Sequence, residues 1–149
     1  MTGIVRFGFV TLAILVMSQQ ANAQASYQTG QNVSPAFEGW EENEDGSFNL
    51  VFGYMNRNWL EELDVPVGED NHISPGSADQ GQPTHLLPRR NRYVFKVRVP
   101  ADFGDQELIW TLTTQGKTEA AYGTLRLDYK LDHMVIASSL LRDGFALSD

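Results

Sequence analysis

Between Phe48 and Met55 the side chains alternate: Phe48, Leu50, Phe52 and Tyr54 fall on one face, and Asn49, Val51, Gly53 and Met55 on the other. A period of two is that of a strand with one face toward a core. Upstream, Ala36 to Trp40 reads as a second extended segment, and Asn43-Glu44-Asp45-Gly46-Ser47 between the two carries the Asp-Gly signal of a tight hairpin. The same period returns in Tyr93, Phe95, Val97 and Val99, ended by Pro100, and again in Leu108, Trp110 and Leu112 after a turn at Ala101 to Gln106. A turn at Gln115-Gly116 sends the chain back through Ala121 to Leu127, with Leu125, Leu127 and Tyr129 expected to share a face.

Elsewhere the pattern weakens. Leu63 to Gly68 makes a short strand at best, confined to a sheet edge by Pro66. From Gly68 to Pro88, prolines and glycines interrupt polar residues, which predicts a loop of about twenty residues, a length that is usually functional or disordered in a compact domain. In the tail, 132–149, Met134, Ala137, Leu140 and Leu141 suit a short helix face capped by Asp132 and ended near Gly144, while Val135-Ile136 would serve a strand equally well. Several short strands with turn signals predict an all-β chain, an immunoglobulin-like or fibronectin-like antiparallel β-sandwich over residues 34–131, with Trp110 filling the core.

The start of the chain has a different character. Arg6, the apolar run Phe7 to Met17, and Ala21-Asn22-Ala23 have the three parts of a secretory signal, so residues 1–23 are expected to be cleaved, leaving Gln24 first and 24–33 as a flexible leader. A run of eleven residues spans about 17 Å as a helix, well short of a hydrocarbon core of about 30 Å. The expectation is therefore export to the periplasm or beyond, with no membrane insertion after cleavage. Removing 23 of the 149 residues takes one base and no acid, and the net charge moves from −8 to −9.

Zero cysteine excludes a disulfide framework, a thiolate metal site and a cysteine nucleophile. In an exported chain, packing and hydrogen bonds must then hold the fold alone. The acidic balance excludes a duplex-binding protein, whose affinity rests on neutralising phosphates, so no nucleic acid is expected as a partner. Charge is also segregated: Glu38 to Asp70 holds ten acids and one base, and Arg89 to Arg98 holds five bases and no acid. Cross-strand ion pairing accounts for this more simply than a docking strip for an anionic partner.

Glu41-x-Asn43-x-Asp45-Gly46 resembles the front of a calcium loop, but its twelfth position is Phe52 instead of a bidentate glutamate. His72 and His85, near Glu69, Asp70 and Asp79, match no zinc spacing. No serine lies in a nucleophile motif and no phosphate-binding glycine loop occurs. Neither a catalytic residue, a metal nor a cofactor is therefore assigned, and the chain reads as non-enzymatic. The most suggestive segment is Tyr54-Met55-Asn56-Arg57-Asn58-Trp59. Rings at Tyr54 and Trp59 with donors at Asn56, Arg57 and Asn58 suit sugar or peptide recognition. A core or rim role at a strand end accounts for the two rings more simply.

Gly46-Ser47-Phe48-Asn49-Leu50-Val51-Phe52-Gly53-Tyr54-Met55-Asn56-Arg57-Asn58, Gly81-Gln82-Pro83-Thr84-His85 with Leu87-Pro88-Arg89-Arg90, and Trp110-Thr111-Leu112-Thr113-Thr114 with Gly116-Lys117-Thr118 resemble a family of exported bacterial β-rich, immunoglobulin-like single-domain proteins. The likeness runs from about Ser34 to Tyr129. It implies a single exported β domain and brings no activity, ligand or catalytic residue with it. The expected function is a binding or structural module for a protein or glycan. Two alternatives are a carbohydrate-recognition module using the Tyr54–Trp59 surface and a hydrolase with its site at residues 68–88.

Overall fold

The computed structural model describes residues 28–142. The expected signal, residues 24–27 of the leader and the expected helix end near Gly144 lie outside them. Eight antiparallel strands dominate: β1 (Val33–Glu42), β2 (Phe48–Asn56), β3 (Leu63–Asp64), β4 (Asn71–Ser74), β5 (His85–Leu86), β6 (Arg89–Val99), β7 (Leu108–Thr114) and β8 (Lys117–Gly123). A 3-10 turn at Leu127–Tyr129 and helix α1 (His133–Arg142) follow. One sheet runs β1-β2-β6, a second runs β4-β7-β8, and β3 pairs with β5 alone. The described residues are thus mostly β, with the 3-10 turn and α1 following the last strand, as the alternation predicts.

The β1–β2 hairpin closes at Asn43–Ser47, where Gly46 takes φ +82° and its N–H reaches the Asn43 carbonyl at 2.9 Å. The β7–β8 hairpin turns on Gln115 and Gly116 with φ +51° and +72°, the pair of positive values that matches the twist of adjoining strands. Leu50 and Phe52 of β2 and Val97 and Val99 of β6 are buried with Ile73 of β4 and Leu108, Trp110 and Leu112 of β7 in one core. Trp110 stands edge-on to Phe95 at 5.0 Å and to Phe52 at 6.3 Å between ring centres, so the two sheets meet through these rings. Edge-to-face contacts add about 0.5–1.5 kcal/mol each beyond area burial, which suits a chain without disulfides.

Three sequence expectations change. Residues 68–88 are not one loop: Asn71–Ser74 pairs in full with Ile109–Leu112, and Asn71 and Ile73 are buried. A strand with one aliphatic residue gives no periodic signal, and its inward polar group is satisfied instead: Asn71 Oδ1 accepts from Trp110 Nε1 at 2.9 Å while its Nδ2 donates to the Val65 and Pro83 carbonyls. The return strand stops at Gly123, so Leu125, Leu127 and Tyr129 do not share a strand face; Leu127 is 80% exposed at the 3-10 turn. Order also begins before residue 34, since the Gln28 carbonyl accepts from the Leu60 N–H and Gln31 is clasped by Asn58.

Of the two forms left open for the tail, residues 133–142 take the helix, capped by Asp132, whose carboxylate accepts from the Met134 N–H at 3.0 Å. Yet Met134 is 76% exposed, so the apolar spacing there does not mark a core face. Before it, residues 126–131 lie along β1. The Trp40 indole donates to the Arg126 carbonyl and the Leu131 N–H to the Trp40 carbonyl, both at 2.8 Å.

Candidate functional site

Three of the five predicted site residues are structural. Tyr54 is buried on the core face of β2, and its hydroxyl accepts the Leu87 N–H at 2.9 Å. Burial pushes its phenol above the usual value, against the hydrogen bond from Leu87. Asn56 and Asn58 are fully buried. Asn56 Nδ2 donates to the Glu61 and Leu86 carbonyls, and its Oδ1 accepts from both nitrogens of Asn58, while Asn58 bonds the Gln31 backbone in both directions. These amides brace a strand end where the chain turns, so none is offered to a ligand.

The other two remain at the surface. Arg57 donates to Ser34 Oγ at 3.2 Å and lies 3.8 Å from a Glu119 carboxylate oxygen. Trp59 is 58% exposed, and the Arg89 guanidinium lies 3.5 Å from its ring centre. A cation over indole contributes about 0.5–1 kcal/mol at an exposed site. Arg89 holds this place on a left-handed backbone, φ +73°, a conformation that costs a residue with a Cβ about 1–3 kcal/mol and persists only where its surroundings enforce it. Two neighbours do so here. Asn91 Nδ2 spans the turn, reaching the carbonyls of Leu87, Pro88 and Arg89 at 3.2–3.3 Å, and Tyr54 fixes Leu87. Leu60, 69% exposed, and Leu87 are further exposed apolar residues on the same two segments.

The site is therefore built by two segments, 57–64 and 85–91, tied together by the β3–β5 pair Leu63–Leu86 and Asp64–His85. Arg89, Leu60 and Leu87 carried no separate sequence signal, because exposure after a strand end depends on where the chain turns next.

His85 sits at the other end of that pair. Asp64 meets its Nδ1 at 2.7 Å and Glu62 its Nε2 at 2.9 Å. Hydrogen bonds that its ring donates to these carboxylates, Asp64 foremost, hold its pKa above the ordinary histidine value. Both ring nitrogens are engaged, by acids at opposite ends of the ring, so the three groups do not converge on one metal position, and neither nitrogen faces a serine. His72 is 3.0 Å from the Glu69 carbonyl through Nδ1. Among the described residues no group of three or more His, Asp or Glu side chains could hold a metal ion. At the β1–β2 tip, Asp45 is paired with Arg98 and accepts from Ser47, and Glu41 is paired with Lys96. The acids of the calcium-like segment are thus spent on neighbours. A cleft of about 410 Å³ opens between Leu63–Asp70 and Thr113–Gln115, and its charged lining, Asp64, Glu69 and Asp70, is wholly acidic.

The segregated charge resolves into cross-strand pairs. Glu38 and Glu41 on β1 reach over β2 to Arg90 and Lys96 on β6, and Asp45 at the tip reaches Arg98. Gly53 lets the first pair form: a Cβ there would run into Glu38 Oε1 and the Asn91 carbonyl. Burial pushes the Glu41 carboxyl up, but hydrogen bonds from Lys96 and Asn49 outweigh it and hold the carboxyl below the usual range. Arg89, at the start of the same basic strand, is turned instead toward the Trp59 ring. Comparison of the chain with family models, curated proteins and solved structures returns no match.

Proposed function

We propose that the protein is an exported, non-enzymatic binding module on an immunoglobulin-like or fibronectin-like β-sandwich, and that it engages a protein or glycan through the Trp59–Arg89 surface. The strand orders β1-β2-β6 and β4-β7-β8 support the fold reading. They follow the A-B-E and C-F-G orders of immunoglobulin sheets, with β5 in the place of strand D but paired to β3. The observation that carries the function is the exposed Trp59 ring with Arg89 held over it on a strained backbone. Exposed large aromatics paired with arginine are what interface hot spots are made of, and outliers of this kind cluster at functional sites.

The carbohydrate reading narrows to Trp59 with Arg57 and Arg89, because Tyr54, Asn56 and Asn58 face inward. The hydrolase reading at 68–88 gains no support from His72 or His85, whose partners are a carbonyl and two carboxylates. Acrylamide quenching tests the proposal, since Trp40 and Trp110 are buried and only Trp59 is open to the quencher. Neutral and uronic-acid oligosaccharides and a random-peptide library are screened for protection of that fluorescence. Hits are then titrated by calorimetry, where binding that disappears in Trp59→Ala and Arg89→Ala is expected; a panel that binds both variants as it binds wild type, or does not bind at all, refutes the site. For export, amino-terminal sequencing of the periplasmic fraction is expected to read Gln24 first, and a cytoplasmic chain that keeps Met1 refutes it.

A further inference from the structure

Among the described residues, Arg57, Arg90, Lys96, Arg98 and Lys117 each have a carboxylate oxygen within 3.8 Å. Arg89 has none there: its guanidinium meets the Trp59 ring and neither a carboxylate nor any other acceptor. The acids nearest to Trp59 in the chain are engaged elsewhere. Glu61 accepts from the Gly30 N–H and from Gln115 Nε2, and Glu62 is held by His85. With its carbon 3.5 Å from the ring centre, the planar guanidinium lies on the indole face, so its five N–H donors run along its own plane and not into the ring. The stack and the left-handed backbone at Arg89, φ +73°, fix the side chain before a ligand arrives, which lowers the ordering cost of binding. The neighbouring surface is apolar: Leu60 follows Trp59, Leu87 lies two residues before Arg89, and both are exposed.

We propose that this surface takes an isolated carboxylate flanked by bulky apolar side chains, presented by an extended peptide segment of a partner protein. The proposal rests on the reading of Trp59 and Arg89 as a binding surface and narrows its ligand. A carboxylate matches the guanidinium fork with two parallel hydrogen bonds. Phosphate fits the same fork but brings about −1.5 to −2 charges at neutral pH, and one unmatched arginine answers a single charge. A polyanion such as a uronic-acid polymer is opposed by the chain's own net charge of −8. A neutral sugar needs polar groups placed beside the ring, but Asn56 and Asn58 are buried, and Arg89 already takes one face of Trp59. The carboxylate comes from an Asp or Glu side chain or from a chain's C-terminus, and Leu60 and Leu87 receive the apolar residues next to it.

Four synthetic peptides test this on the purified protein: Ac-Ala-Leu-Asp-Leu-Ala-amide against its Asn twin, and Ac-Ala-Leu-Leu with a free carboxylate against its amide. The NMR signals of the Trp59 indole N–H and the Arg89 Nε–H are followed as each peptide is added to about 10 mM, which covers the millimolar Kd of so small a contact. At least one acid form is expected to bind about ten- to a hundredfold more tightly than its twin, the span of a hydrogen-bonded charge pair, with both signals moving together. Which pair shows the preference tells a side-chain carboxylate from a C-terminal one. The preference is expected to vanish in Arg89→Gln, to survive in Lys96→Gln, which removes a positive charge from the same strand, and to fall as salt is added. Twins that bind equally, or a preference that survives Arg89→Gln, overturn the carboxylate and leave the binding surface standing. Peptides that move neither signal also overturn the inference, and methyl glucuronide and methyl glucoside then separate the causes. A response to either sugar assigns the surface to a glycan, and no response to any of the six overturns the binding surface as well.

Discussion

Asn71→Ala removes three hydrogen bonds from a fully buried position in one step. The substitution leaves the Trp110 indole N–H and the Val65 carbonyl inside the protein without a partner; the Pro83 carbonyl is only partly buried and can recruit water. A buried polar group left unsatisfied costs about 1–3 kcal/mol. Taking about 1–2 kcal/mol for each of the two enclosed groups, and about 1 kcal/mol for Pro83 with the lost amide volume, gives about 3–5 kcal/mol. Domains of this size have about 5–15 kcal/mol in all, so the variant folds but melts roughly 10–20 °C lower.

Urea titration followed by fluorescence measures that loss, and a double-mutant cycle with Trp110→Phe tests its cause. In the wild-type background Trp110→Phe both removes the indole and strands Asn71 Oδ1. In the Asn71→Ala background it does only the first, so its cost falls by about 1 kcal/mol or more. Since Asn71 also anchors the carbonyls of Val65 and Pro83, limited proteolysis is expected to cut first between them. A loss under about 1 kcal/mol, typical of an exposed site, or an absent coupling term, refutes the claim that this asparagine replaces an aliphatic residue as the organiser of β4.

Three further outcomes follow from single contacts. Asp64 and Glu62 raise the His85 pKa, so their stabilisation is fully present below the unfolded value of about 6.5 and is lost as pH rises through the folded value. A melting profile against pH should show this slope in wild type and not in His85→Gln, and an NMR midpoint for His85 at or below the unfolded value contradicts it. Tyr54→Phe strands the Leu87 N–H, and is expected to cost about 1 kcal/mol and to loosen the Arg89 turn, read as a change in Trp59 emission; unchanged emission removes Tyr54 from the support of that site. Gly39 has φ +138°, and a Cβ there would lie 2.6 Å from Leu131 Cγ. Gly39→Ala is therefore expected to cost about 1–3 kcal/mol and to lift residues 129–131 from β1, which hydrogen exchange at the Leu131 amide detects; full protection there rules it out.

What was legible in the sequence was whatever repeats. β2, β6 and β7 alternate because each has one face in the core, and the two tight hairpins announce themselves through Asp-Gly and Gln-Gly. β4 was not legible, because a strand whose inward positions are Asn71 and Ile73 looks like a polar loop until Trp110 and two carbonyls arrive from elsewhere in the chain. The site was half legible for the same reason. Tyr54, Asn56, Arg57, Asn58 and Trp59 were a fair list of residues able to bind, but burial divides them. Two amides separated by one residue can brace each other across a chain turn, and nothing in their spacing distinguishes that use from ligand contact. Charge segregation was legible in full, since acids on β1 and bases on β6 need only β2 between them to pair.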